Sequence, residues 1–274
     1  VSAGPGQLPA YFDAPRPPDA RRGVAALAHR GFARPGGVDD GLENSMAAFA
    51  AAVDLGYRYV ETDAHGTADG VAVALHDESL DRTTDSRGLV ADLPWSQVRR
   101  ARIGGVEPVP ALEDLLGAWP HLRVNVDVKG DSGVAPVAAA IERTAAHDRV
   151  CVTSFDVRRR RATLAHLTRP VATSAGRAEV AGFLAGARLR TDALARRALR
   201  HAHALQVPVR DGRLTVVDAT TVAAAHRAGR AVHVWTVNDP DEMRRLVDLG
   251  VDGIVTDRAD LLRDVLRERH LWPA

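Results

Sequence analysis

What most constrains the fold of this chain is a rhythm. Short runs rich in β-branched and aromatic residues alternate with longer Ala-, Leu- and Arg-rich stretches along almost its whole length. Strand candidates fall at residues 24–28, 59–63, 71–75, 124–128, 150–154, 171–174, 205–209, 232–237 and 253–256. Helical periodicity lies between them, at 45–55, 111–118, 134–146, 157–166, 177–185, 192–200, 218–228, 241–249 and 259–269. Repeated strand–helix alternation implies βαβ units with right-handed crossovers and a parallel sheet. The count fits eight units with one extra strand. A closed barrel is favoured over an open doubly wound sheet mainly because of where the polar residues fall, and no Gly-rich dinucleotide turn follows the first strand and no phosphate-binding P-loop appears. The expectation is a single-domain α/β protein, a (β/α)8 barrel of the TIM type over residues 24–270. Residues 1–23 form a Pro-, Gly- and Ala-rich extension ahead of it, and 35–41 and 82–110 read as elaborated loops.

Charge and cysteine usage remove several function classes. Lys and Arg number 36 against 35 Asp and Glu, a net charge of +1, which argues against a nucleic-acid partner. The one basic cluster, Arg158 to Arg161, opens a helical run and is expected on a solvated face. The single cysteine, Cys151, sits in an apolar run and is expected in the core. No stretch of about 20 apolar residues offers a membrane span. A cytoplasmic location is expected, with secretion as the alternative because the chain begins with Val and a leader is compatible with trimming. The oligomeric state is left open.

Catalytic groups of such a barrel gather at the carboxyl ends of its strands. Polar clusters fall there: His29-Arg30-Gly31, Glu61-Thr62-Asp63, His76-Asp77, Asn125 to Lys129, and Trp235 to Asn238. Residues two apart on a strand share a face, so Glu61 points with Asp63 and Asp127 with Lys129. Carboxylates crowded into a barrel mouth raise one another's pKa and lose hydration. A divalent cation relieves this, and all-oxygen ligands favour Mg²⁺ or Ca²⁺ over Zn²⁺. Direct pairing with Arg30 and Lys129 is the alternative. His29 and His76 offer an acid–base pair near neutral pH, and Arg30 a fork of donors for phosphate oxygens. The remaining histidines read as surface or core groups.

The ordered series Ala28-His29-Arg30-Gly31, Glu43-Asn44-Ser45, Glu61-Thr62-Asp63, Thr67-Ala68-Asp69-Gly70, His76-Asp77 and Leu80-Asp81-Arg82-Thr83-Thr84 resembles the glycerophosphodiester phosphodiesterase family. The likeness continues through Asn125–Lys129, Ser154-Phe155-Asp156, Trp235–Asn238 and Gly250–Asp257. It implies a (β/α) barrel that hydrolyses glycerophosphodiesters to an alcohol and sn-glycerol 3-phosphate with one divalent cation. His29 and His76 would be the acid–base pair, and Glu61 and Asp63 metal ligands. Asp127 would be a third ligand, one methylene shorter than the Glu usual there. Arg30 and Lys129 would contact phosphate, Trp235 would line the glycerol end, and Glu43 would sit near the metal. The loop at 33–42 is longer than the family pattern. Two rivals remain: a lysophospholipase-D- or sphingomyelinase-D-like enzyme on the same scaffold, and a non-catalytic phosphodiester-binding barrel.

Overall fold

Eight parallel strands form the frame of the computed structural model, which describes residues 8–14, 17–18 and 23–273. They are β1 Ala25–His29, β2 Tyr59–Gly66, β3 Arg123–Val128, β4 Val150–Thr153, β5 Ala172–Thr173, β6 Ala204–Pro208, β7 Ala231–Trp235 and β8 Gly253–Thr256. The sheet order is β5-β4-β3-β2-β1-β8-β7-β6. Its two ends meet through one parallel bridge, Ser174 to Ala204. Backbone bonds from His203 N–H to Thr173 O and from Ala175 N–H to Ala204 O, each 2.8 Å, complete the seam. The expected extra strand is Ala72–Ala74, a short arm antiparallel to the end of β2.

Helices clothe the barrel as α1 Met46–Asp54, α2 Leu112–Ala118, α3 Val134–Arg143, α4 Val157–Ala165, α5 Arg177–Arg188, α6 Asp192–Ala198, α7 Ala219–Arg227, α8 Pro240–Leu249 and α9 Ala259–Glu268. Their starts are written locally. Ser45 accepts from Ala48 N–H, Asp218 from Thr221 N–H and Asp239 from Glu242 N–H, each satisfying an orphan donor of a first turn. Among the described residues no helix is long and apolar enough to cross a membrane.

Strand parity sorts the core into two layers. Ala26, Ala28, Val60, Ala64, Val124, Val126, Val128 and Ile254 face the helices and join Phe49, Leu112, Ile141, Phe183 and Leu262 in the outer core. The alternate residues Ala25, Leu27, Tyr59, Cys151, Ala172 and Val255 fill the barrel interior. Tyr11, from the segment ahead of β1, is buried among them. Its ring meets Tyr59 edge-on at 5.4 Å, and the Tyr59 hydroxyl donates to the Tyr11 carbonyl at 2.7 Å. Phe12 lies 5.6 Å from the His233 ring. Small interior residues at the amino-terminal end leave room for this ring, and Tyr11 and Phe12 pack there.

One expectation for a surface feature changes. Arg160, in the Arg158–Arg161 cluster, is fully buried rather than solvated. Its Nη1 donates to the Ser174 carbonyl and lies 2.8 Å from Glu179 Oε2. The reason is local demand for a donor: the buried Ser174 carbonyl and the Glu179 carboxylate both draw the guanidinium inward.

Candidate active site

Strand register assembles the site in rows. His29 lies beside Glu61 and Glu61 beside Asn125; one pair further up, Asp63 lies beside Asp127 and Asp127 beside Thr153. All share the parity of Leu27, Tyr59 and Cys151, so they point into the barrel above its apolar filling. They line a cavity of about 230 Å³ together with Arg30, His76, Lys129, Phe155 and Trp235. The sequence-predicted residues thus converge at the carboxyl ends of β1, β2, β3 and β7, with His76 delivered by the arm. Glu43 stands at the edge of the site rather than in its wall: it bonds Arg30 Nη1 at 3.1 Å.

The backbone turns sharply after β1 to bring Arg30 back over the strands. Arg30 has φ 55° and Gly31 φ 82°. A β-carbon on Gly31 would lie 2.6 Å from the Ala48 carbonyl carbon, so only glycine fits. This turn lets Arg30 N–H donate to Glu61 Oε2 at 3.2 Å while its Nε reaches Asp63 Oδ2 at 3.0 Å. Asn44 also has positive φ, 61°, and its amide donates to Asp63 Oδ2 at 3.3 Å. Strained residues of this kind concentrate at functional sites.

Each histidine is held by a carboxylate on Nδ1. His29 Nδ1 lies 2.6 Å from Asp257 Oδ1, and Asn238 Nδ2 donates to Asp257 Oδ2 at 2.8 Å. His76 Nδ1 lies 2.6 Å from Asp77 Oδ1, and Asp77 in turn accepts from Arg82. The other ring nitrogen of each, Nε2, is turned to the cavity, where His29 Nε2 lies 3.8 Å from Glu61 Oε2. Below His76, His65 Nε2–H donates to the His76 carbonyl at 3.2 Å. Burial opposes charge on His29, but the Asp257 hydrogen bond and Glu61 outweigh it and raise its pKa. Asp257 would be raised by burial, yet the His29 bond pulls it down to about 2.

The inner carboxylates are unequally compensated. Burial would raise Asp63, but Lys129 at 3.2 Å and Arg30 hold it below the usual range. Burial pushes Glu61 up to about 8, with Asp63 adding to the rise against His29 and Arg30. Asp127 is pushed to about 6 by burial, although Lys129 lies 3.3 Å away. Lys129 itself is raised because Asp63 and Asp127 more than offset its burial. Among the described residues no three His, Cys, Asp or Glu side chains converge as ready-made metal ligands; the Lys129 ammonium occupies the gap between Asp63 and Asp127. The direct pairing weighed from the sequence therefore accounts for Asp63. It leaves Glu61 with one hydrogen-bond donor and Asp127 Oδ1 buried with none among the described residues, and these spare oxygen lone pairs suit a hard cation.

A model of the glycerophosphoryl diester phosphodiesterase family matches residues 29–261. The chain belongs to this family. It is 47% identical over 251 residues to a Mycobacterium tuberculosis protein named probable glycerophosphodiester phosphodiesterase 2, covering 91% of this chain and 93% of that one. Among solved structures it resembles a putative glycerophosphoryl diester phosphodiesterase from Silicibacter pomeroyi, with TM-score 0.73, 23% identity and coverage of 96% and 99%. It also resembles an Oleispira antarctica phosphodiesterase solved with the product sn-glycerol-3-phosphate, with TM-score 0.71, 20% identity and coverage of 94% and 99%. At those identities the two structures speak for the fold. The expectation of a glycerophosphodiester phosphodiesterase on a single barrel stands.

Four partners in this phosphodiesterase site had no assigned role in the sequence analysis: Asp257, Asn238, Asp77 and Arg82. Asp257 follows β8 by one residue, so the strand-end rule applied to the other clusters would have found it. Phe155 adds an aromatic rim, edge-on to Trp235 at 5.8 Å and under the Arg177 guanidinium at 5.0 Å.

Proposed function

We propose that this chain hydrolyses glycerophosphodiesters to an alcohol and sn-glycerol 3-phosphate, with His29 and His76 as the acid–base pair. One divalent cation, Mg²⁺ or Ca²⁺, held by Glu61, Asp63 and Asp127, completes the reading. The observation that carries it is the pair of histidines on separate elements, each tied at Nδ1 to a carboxylate, lining one cavity with Arg30 and Lys129. A diester needs a proton taken from the nucleophile and another given to the leaving alkoxide, and two imidazoles supply both. Asp257 and Asp77 fix each ring's tautomer and orientation, so that Nε2 addresses the phosphate. Arg30 and Lys129 bring donors to the non-bridging oxygens. When bound, the cation supplies further stabilisation of the charge that builds on those oxygens. Trp235 and Phe155 give the glycerol end an apolar wall.

A panel of glycerophosphodiesters assayed with chelator, and with Mg²⁺ or Ca²⁺ restored, tests the cation and the product. His29→Ala and His76→Ala should each lower kcat by roughly 10²–10⁴ while circular dichroism stays that of the parent. Near-full turnover in both variants refutes the pair. One observation favours the lysolipid alternative. Val38 and Val106 are 71% and 66% exposed on two loops that meet where Gly104 approaches Leu42, next to Glu43. Faster turnover of lysophosphatidylcholine than of glycerophosphocholine would select it.

A further inference from the structure

The segment between the arm and α2 carries His76, Asp77 and Arg82 out of the barrel and folds on itself. Leu80 N–H donates to Gly88 O at 3.0 Å, Thr84 Oγ1 to Leu80 O at 2.7 Å, and Gly104 N–H to Thr83 O at 2.9 Å. From this scaffold Arg82 reaches back to the mouth. Its Nε donates to Asp77 Oδ2 at 2.5 Å, and its Nη2 to Asp77 Oδ1 at 3.1 Å and to Glu43 Oε1 at 2.6 Å. Both carboxylates have a second task. Asp77 Oδ1 holds His76 Nδ1 at 2.6 Å, and Glu43 Oε1 accepts from Arg30 Nη1 at 3.1 Å. One guanidinium therefore joins the element that bears His76 to the β1–α1 loop that bears Arg30.

We propose that Arg82 is a positioning residue for the phosphodiesterase reaction, holding Asp77 and Glu43 at once and so fixing the His76 imidazole and the Arg30 guanidinium around a single phosphate. The proposal rests on the acid–base reading of His76 given above. Arginine suits the place because its planar fork serves three carboxylate oxygens together, which a lysine ammonium on a flexible stem does not reproduce. The Arg82 side chain is 51% exposed, and ion pairs this open to water add little to global stability. Its removal should therefore be felt in turnover. Misplacement of a reacting group by about 1 Å costs on the order of 10²-fold in rate.

The test measures kcat, KM and thermal unfolding for Arg82→Ala, Arg82→Lys, Asp77→Asn, His76→Ala and the double variant Arg82→Ala/Asp77→Asn. Arg87→Ala, exposed on the same segment, is the control. Arg82→Ala should lower kcat about 10²-fold and raise KM several-fold, with the unfolding midpoint close to that of the parent. Arg82→Lys should recover little, and free guanidinium should restore part of the Arg82→Ala loss. Because Arg82 acts partly through Asp77 and partly through Glu43, the loss in the double variant should exceed that of Asp77→Asn alone but fall clearly short of the product of the two single losses. The proposal is overturned if His76→Ala is inactive while Arg82→Ala stays within about threefold of the parent, or if the two losses in the double variant simply multiply. A drop in unfolding midpoint that accounts for the lost activity also overturns it. An active His76→Ala protein would instead overturn the acid–base reading.

Discussion

Replacing Asp257 by asparagine exchanges one carboxylate oxygen for an amide nitrogen, and the structure dictates which. Asn238 Nδ2 donates to Asp257 Oδ2 at 2.8 Å, so the new amide must keep its oxygen on that side. Its NH₂ then faces His29 Nδ1, where a carboxylate oxygen had lain at 2.6 Å. A donor opposite Nδ1 drives the ring proton to Nε2, the nitrogen that should address the phosphate. In hydrogen-bonded His–carboxylate pairs the wrong tautomer lowers kcat by about 10⁴. Electrostatics act in the same direction. Asp257 falls from an ordinary 3.8 to about 2 against the effect of its burial, chiefly through the His29 bond. That displacement corresponds to on the order of 2 kcal/mol, shared between His29 and Asn238. Since the folded pKa is depressed, this stability is present above pH 3.8 and lost as pH falls through about 2. The assay is kcat and kcat/KM against pH for glycerophosphocholine, with saturating cation. Asp257→Asn should lose roughly 10³–10⁴ in kcat. The pH limb belonging to His29, raised in the parent, should move to lower pH. A kcat within about tenfold of the parent, with that limb unmoved, would refute the tautomer argument.

Two further predictions concern charge below the rim. Burial and Asp63 push Glu61 up to about 8, and burial pushes Asp127 up to about 6, so both resist the ionised form that a cation needs. Cation binding at pH 7 should therefore release about one proton, and affinity should fall as pH drops below 8. Calorimetric heats independent of buffer ionisation enthalpy at pH 7 would contradict this. Arg160→Met should cost about 1–3 kcal/mol in urea unfolding, because it leaves the Ser174 carbonyl without its donor and Glu179 with only Arg161, at 3.7 Å. Adding Glu179→Gln should recover part of the loss, and a cost below about 1 kcal/mol would show that the fold does not depend on the pair.

Much of the site was legible because β2 and β3 obey a two-residue period. Once Val60, Ala64, Val124, Val126 and Val128 are read as one face, Glu61, Asp63, Asn125 and Asp127 must occupy the other, and the structure bears this out. Arg82 was harder, since the segment that carries it has no periodicity and its partners lie in another loop. Arg160 was misread because a run of arginines looks solvated, whereas the need for a buried donor arises from the Ser174 carbonyl and Glu179, which lie far along the chain. The place of Tyr11 follows from small residues at 25, 151 and 172, and only their juxtaposition in the barrel makes the vacancy for its ring.

Tyr11 and Phe12 have one more consequence. With Tyr11 and Phe12 packed beneath it, the site is shaped as a cup, and water, intact diester and both severed halves are expected to cross the same lip. Such traffic predicts an ordered release, in which the half nearer the lip clears before the deeper one and excess substrate slows the exit of the last.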